Sequence, residues 1–208
     1  MKRSFNIVLV LFSAFMFFSC GSTKKIPPKA ELFSNVWVDN SKMSAQDCGK
    51  FYTSPELGRF SSIEVEFKKT SGSETGTFGL VFDYSSQKDG ICSDYIRFEI
   101  NTLGEYAIYS FDGTKYKDFV DSSVEGTAYF SKSSAIVQGL SSLNTLKVDF
   151  QDGTYSFFIN GTKVLDNVKS ASDAKKGFMA FFSVAKPEEE SLPDTPVSVS
   201  YRIVNAAR

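Results

Sequence analysis

Residues 143–165, LNTLKVDFQDGTYSFFINGTKVL, restrict the possible folds more than any other stretch of this chain. Leu146, Val148 and Phe150 alternate with Lys147 and Asp149. After Gln151-Asp152-Gly153-Thr154 the alternation resumes at Tyr155, Phe157 and Ile159. A period of two is the signature of a strand with one dry and one wet face. Asp-Gly between two such runs marks a tight hairpin, because both central residues must tolerate positive φ. Asn160-Gly161 repeats that signal before Thr162-Lys163-Val164-Leu165. Three antiparallel strands in so short a span predict an all-β chain.

The rest of the sequence continues the pattern. Residues 33–38 (FSNVWV) predict a first strand, with Trp37 as a core anchor, and the polar stretch 39–59 a long loop. In 60–67, Ile63, Val65 and Phe67 point inward and Glu64 and Glu66 outward. In 77–84, Phe78, Leu80, Phe82 and Tyr84 share one face, and Gly79, Val81 and Asp83 the other. In 94–100, Ile96, Phe98 and Ile100 oppose Tyr95, Arg97 and Glu99. Strands follow at 105–111 and 115–120, then a Ser- and Gly-rich covering segment at 121–142. Residues 177–184 (GFMAFFSV) are apolar on both faces, as in a strand covered on both sides. The final strand, 197–204, turns Val197, Val199, Tyr201 and Ile203 inward. The predicted fold is a two-sheet antiparallel β-sandwich, and 21 Phe and 9 Tyr supply enough bulk to fill it.

Composition removes several functions. With 23 basic and 24 acidic residues there is no cationic excess for nucleic acid, so none is expected as partner. There is no His. That excludes Ser-His-Asp and Cys-His catalysis, together with His-ligated zinc and haem. No metal and no cofactor are expected. Asp83, Asp89 and Asp94 lie close in sequence and Glu188-Glu189-Glu190 form an acidic run; carboxylates beside turns commonly serve solubility, with calcium binding as the alternative.

The N-terminus reads as a targeting segment. Lys2 and Arg3 precede the apolar stretch 7–18, which is too short to span a hydrocarbon core of about 30 Å. It ends Phe17-Phe18-Ser19-Cys20-Gly21, which resembles the lipobox of bacterial lipoproteins. The resemblance implies cleavage after residue 19, lipidation of Cys20 and attachment to a membrane of the bacterial cell envelope, facing periplasm or exterior. The alternative is an ordinary export signal with an incidental Cys. The division expected is a signal at 1–19, a Ser/Lys/Pro-rich tether at 20–32 and the sandwich at 33–205. In an oxidising compartment the two remaining cysteines, Cys48 and Cys92, suggest a disulfide, with two buried thiols as the alternative.

Several stretches together resemble the concanavalin A-like lectin/glucanase superfamily, nearest its laminin-G-like and 3-keto-disaccharide-hydrolase-like branch. They are GTFGLVFDY, DYIRFEINTLGEYAIYSFDGTKY, SSAIVQGLSSLNTLKVDFQDGTYSFFINGTKVL, GFMAFF and VSVSYRIVN. The resemblance implies a jelly roll that binds glycans, cleaves them or binds proteins. The Glu-x-Asp-x-x-Glu strand of laminarinase-like enzymes is missing, which favours a non-catalytic, lectin-like module with a polysaccharide or glycan partner. No catalytic residue is assigned. The candidate ligand site is the second face of the 94–100 strand: Tyr95, Arg97 and Glu99 beside Tyr109, with Asp83 added. Phe158, Met179 and Phe181 are expected to extend it. Aromatic rings there offer stacking surfaces, and Arg and Glu offer directed hydrogen bonds. Two alternatives stand beside it. The 114–142 segment could bury this face as a second small core, or Asp83 and Glu99 could form the carboxylate pair of a glycosidase. An envelope protein that binds another protein is the remaining reading.

Overall fold

The structure, a computed structural model, describes residues 38–43, 51–84, 87–88, 91–92, 94–124, 126, 128–170, 177–183 and 197–208. The signal, the tether, Cys20, Trp37, Cys48 and the acidic run lie outside these residues. So does the Cys92 side chain, and with it the Cys48–Cys92 pairing.

The strands in chain order begin with β1 (Val38–Met43), β2 (Phe51–Thr53), β3 (Gly58–Arg59), β4 (Ser62–Ser71) and β5 (Phe78–Phe82). Next come β6 (Gln87–Lys88), β7 (Ile91–Cys92), β8 (Tyr95–Ile100), β9 (Glu105–Phe111), β10 (Tyr116–Asp118) and β11 (Ser131–Lys132). The last are β12 (Leu143–Gln151), β13 (Thr154–Ile159), β14 (Thr162–Lys169), β15 (Gly177–Ser183) and β16 (Val197–Ala207). No helix occurs among the described residues.

Two antiparallel sheets form the sandwich. One has the order β1-β16-β4-β12-β13-β14. The other runs β10-β9-β8-β5-β15-β2, with β11 on β9 and β3 on β15. The hairpins anticipated at Asp152-Gly153 and Asn160-Gly161 are present, with φ of 52° and 76° at the first and 48° and 79° at the second. Positive φ at both central residues gives a turn whose twist matches that of the strands it joins.

The core lies between the sheets. Ile63, Val65, Phe67, Leu146, Val148, Tyr155, Phe157, Ile159, Val199, Tyr201 and Ile203 meet Phe78, Leu80, Phe82, Ile96, Phe98, Ile100, Ile108, Phe178 and Phe182. Rings interlock across the gap: Phe82 meets Tyr155 edge-on at 4.9 Å and Phe98 meets Phe157 edge-on at 5.3 Å. Burial of so much aromatic surface is the main force holding the layers together.

Three expectations need correction. Residues 39–59 are not one long loop, since β1, β2 and β3 all fall there. These are short strands at sheet edges, held by backbone pairing, and polar side chains such as Asp39, Asn40 and Ser41 give no alternation to read. The 60–67 strand continues to Ser71 and places Lys69 in the next inward slot, where it is buried. Its ammonium donates to the carbonyls of Ser73 and, at 2.7 Å, Gly76. Tyr84 leaves the Phe78–Phe82 row, for a reason that also moves Asp83.

Candidate functional site

The strands β5, β8, β9 and β15 have a second face, turned away from the six-stranded sheet. Alternation places Val81, Tyr95, Ala107, Tyr109, Met179 and Phe181 there, all buried. Arg97 and Glu99 occupy the polar positions. The Arg97 guanidinium donates to the Tyr109 hydroxyl at 2.7 Å and the Tyr95 hydroxyl at 3.2 Å, and lies 3.9 Å from the centre of the Phe181 ring. Glu99 accepts from Tyr109 at 3.1 Å and Thr77 at 2.9 Å, with Arg97 3.9 Å away. Four of the five candidate residues, Tyr95, Arg97, Glu99 and Tyr109, are therefore brought together.

They are also shut in. These four are only 3–7% exposed. Tyr84, Phe111, Ala128 and Phe130 pack against the cluster, so part of the 114–142 segment lies over this face. Asp118 organises that cover: it is buried, and its carboxylate accepts from the amides of Val120, Asp121 and Tyr129 at 2.7–2.8 Å. The rest of the segment goes elsewhere. Ile136 joins the main core, and Asn144 clamps Val137 with paired hydrogen bonds of 2.9 Å.

Electrostatics follow from burial. Desolvation pushes the Tyr109 phenol well above its ordinary range, and the adjacent Glu99 charge pushes it the same way. Desolvation raises Tyr95 too, against the opposing pull of Arg97. Burial works against the Arg97 charge, but Tyr109, Glu99 and Tyr95 more than restore it, so its pKa lies above the usual value. The set is a closed network in which each of the four side chains engages another of the set.

Asp83 is not part of it. Its φ is 54°, in the left-handed region, which interrupts the alternation of β5. The carboxylate turns to accept from Ser170 at 2.8 Å, near Tyr155, while Tyr84 joins the second face. Asp83 and Glu99 are each 3% exposed and engage different partners.

Phe158 lies on the other sheet altogether, on its outward face, because β13 pairs with β12 and β14. It is half-buried and is the large apolar side chain of a groove of about 560 Å³ lined by β12, β13 and β14. Thr154 and Ser156 form the floor, in the same outward row as Phe158. Asp149, Gln151 and Asp152 stand on one side, and Lys163, Asp166 and Asn167 on the other. The Lys147 and Lys163 ammoniums sit 5.0 and 5.7 Å from the Phe158 ring centre. Strand β14 is bulged beside the groove: Tyr155 faces Val168 while Phe157 faces Leu165. Asn167 takes a φ of 59° in that bulge. Alternation identifies Thr154, Ser156 and Phe158 as a row, but the bulge that brings Asp166 and Asn167 to it has no glycine or proline to announce it. Among the described residues no three Cys, Asp or Glu side chains converge as metal ligands.

No family model matches this chain, and neither does any curated protein. Solved structures do resemble it. A Bacteroides ovatus mixed-linkage-glucan GH16 protein in complex with its G4G4G3G product has a TM-score of 0.48 at 11% identity, covering 81% of this chain and 94% of its own. The carbohydrate-binding module CBM66 from Bacillus subtilis has a TM-score of 0.46 at 13% identity, covering 84% and 96%. The Caenorhabditis elegans galectin LEC-6 has a TM-score of 0.43 at 11% identity, covering 81% and 96%. At such distances these likenesses assign neither an activity nor a ligand to this chain.

Proposed function

We propose that this chain is an exported, lipid-anchored, non-catalytic glycan-binding module of the concanavalin A-like type. The observation that carries the binding role is the groove beside Phe158. It combines an apolar ring with hydroxyl, amide and carboxylate groups open to solvent, the mixture a sugar requires. The sequence motifs that resemble the superfamily support the same reading, and the Cys20 motif supports the anchor. The hydrolase alternative draws no support from Asp83 and Glu99, which are buried and turned to different partners.

Affinity electrophoresis of the full chain through gels containing a panel of polysaccharides tests the reading. Retardation by at least one glycan, lost in Phe158→Ala at unchanged melting temperature, is the expected result. Migration of the wild type unaltered by every glycan would refute it. Labelling with a fatty-acid analogue that disappears in Cys20→Ala tests the anchor separately.

A further inference from the structure

The groove also carries information about what kind of glycan it suits. Its charged side chains come in matched pairs. Lys147 lies 2.8 Å from Asp149, and Lys163 lies 3.5 Å from Asp166. Asp152 is left over among these residues as one unmatched negative charge, with Lys169 opposite Thr154 on the edge strand. A carboxylated or sulfated polymer would meet that charge, and would have to compete with Asp149 and Asp166 for the lysines. A polyamine would find the Phe158 ring already flanked by two ammoniums. Neither sign of ligand charge is favoured.

The uncharged groups point the other way. The side chains of Gln151, Ser156 and Asn167 make no hydrogen bond to another described residue, so their donors and acceptors face the groove unspent. These groups lie beside the Thr154–Ser156–Phe158 row, which spans about 13 Å at a rise of roughly 3.3 Å per residue. A row of that length accepts a chain rather than a single ring. Bulges commonly re-aim a side chain at the edge of a sheet, and here the bulge brings Asn167 and Asp166 to the groove from the edge strand.

We infer that the groove takes an uncharged saccharide chain lying along β13, with Phe158 closing one end and Asn167, on the bulged edge, determining which sugar is accepted. This rests on the glycan-binding reading above and specifies its ligand class. Recognition comes from hydroxyl-to-amide and hydroxyl-to-hydroxyl bonds and from one apolar contact, so it is insensitive to salt.

The test is affinity electrophoresis and calorimetry on the full chain in detergent micelles. The probes are laminarin and dextran as uncharged chains, polygalacturonate as a polyanion and chitosan as a polycation. Retention by an uncharged probe, unchanged in 1 M salt where the screening length is about 3 Å, is expected. Phe158→Ala should weaken it at least about tenfold, equal to roughly 1.4 kcal/mol, and Asn167→Ala should change the order of preference among uncharged probes. Melting curves of both variants control for folding, and Ser156→Ala offers a second variant with minimal change of shape. Retention of a polyanion or polycation alone, abolished by salt, overturns the inference while leaving glycan binding intact. Retention of uncharged probes by Phe158→Ala at wild-type strength overturns the placement in this groove. Retention of no probe removes both the inference and the function it rests on.

Discussion

The two sheets each have an outward face, and the two faces have opposite fates. On β5, β8, β9 and β15 the outward side chains include two tyrosines, a phenylalanine, an arginine and a glutamate, yet all are buried and bonded to one another. On β12, β13 and β14 the outward row is Thr154, Ser156 and Phe158, and it stays open. The richer surface is the closed one. A cluster of aromatic and charged residues costs much when left wet and can satisfy itself under a cover, so it becomes structure. A sparse row of hydroxyls around one ring needs no cover, and the Ser156 hydroxyl remains available.

The sharpest way to break this comparison is Arg97→Ala. If the closed face is a structural network, the change leaves the Glu99 carboxylate buried without its cation and costs about 3–5 kcal/mol, seen as a large fall in denaturant midpoint. A near-normal midpoint would mean that the face is wet and available to ligand. Asp118→Ala acts on the cover itself. Three amides lose their acceptor, at a cost of about 2–3 kcal/mol, and the 119–130 segment becomes a site of rapid proteolysis. Unchanged protection of that segment would show that something other than Asp118 holds the cover.

Alkaline titration is the third measure. Tyr95 and Tyr109 have pKa values raised above 10 in the folded chain. Below pH 10 both folded and unfolded states keep these protons, and the stability is fully present. Above it the unfolded chain ionises first, so stability falls as pH rises toward the native pKa, by about 1.4 kcal/mol per pH unit for each tyrosine. Phenolate absorbance of the native protein should therefore lag behind that of the denatured chain. Coincident titrations would mean an exposed face. The smallest stability effect belongs to the open side: Phe158→Ala should change stability by less than about 1 kcal/mol, since the ring is only half-buried. A loss as large as that of Arg97→Ala would make Phe158 a core residue and close the comparison.

Much of this could be read from the sequence, for a stated reason. Inward rows such as Ile63-Val65-Phe67 and Tyr155-Phe157-Ile159, and the turns Asp152-Gly153 and Asn160-Gly161, obey local rules of period and φ that need no partner. The grouping of Tyr95, Arg97, Glu99 and Tyr109 was legible too, since adjacent strands of one hairpin place them side by side. Less legible was Lys69, a charged residue in an inward slot, because the carbonyls that receive it belong to a turn whose path the period does not give. Asp83 escaped for a similar reason, as one left-handed residue inverts the faces of those around it.

By itself, then, the sequence determined the regularly alternating strands, the faces of their apolar rows and the all-β sandwich, because these follow from the spacing of apolar residues a few positions apart. Only the tertiary structure decided which face is covered. That depends on where Ala128 and Phe130 are carried by the segment anchored at Asp118, and on how β14 bulges beside β13. Both are set by contacts between residues far apart in the chain, whose energies no local pattern records.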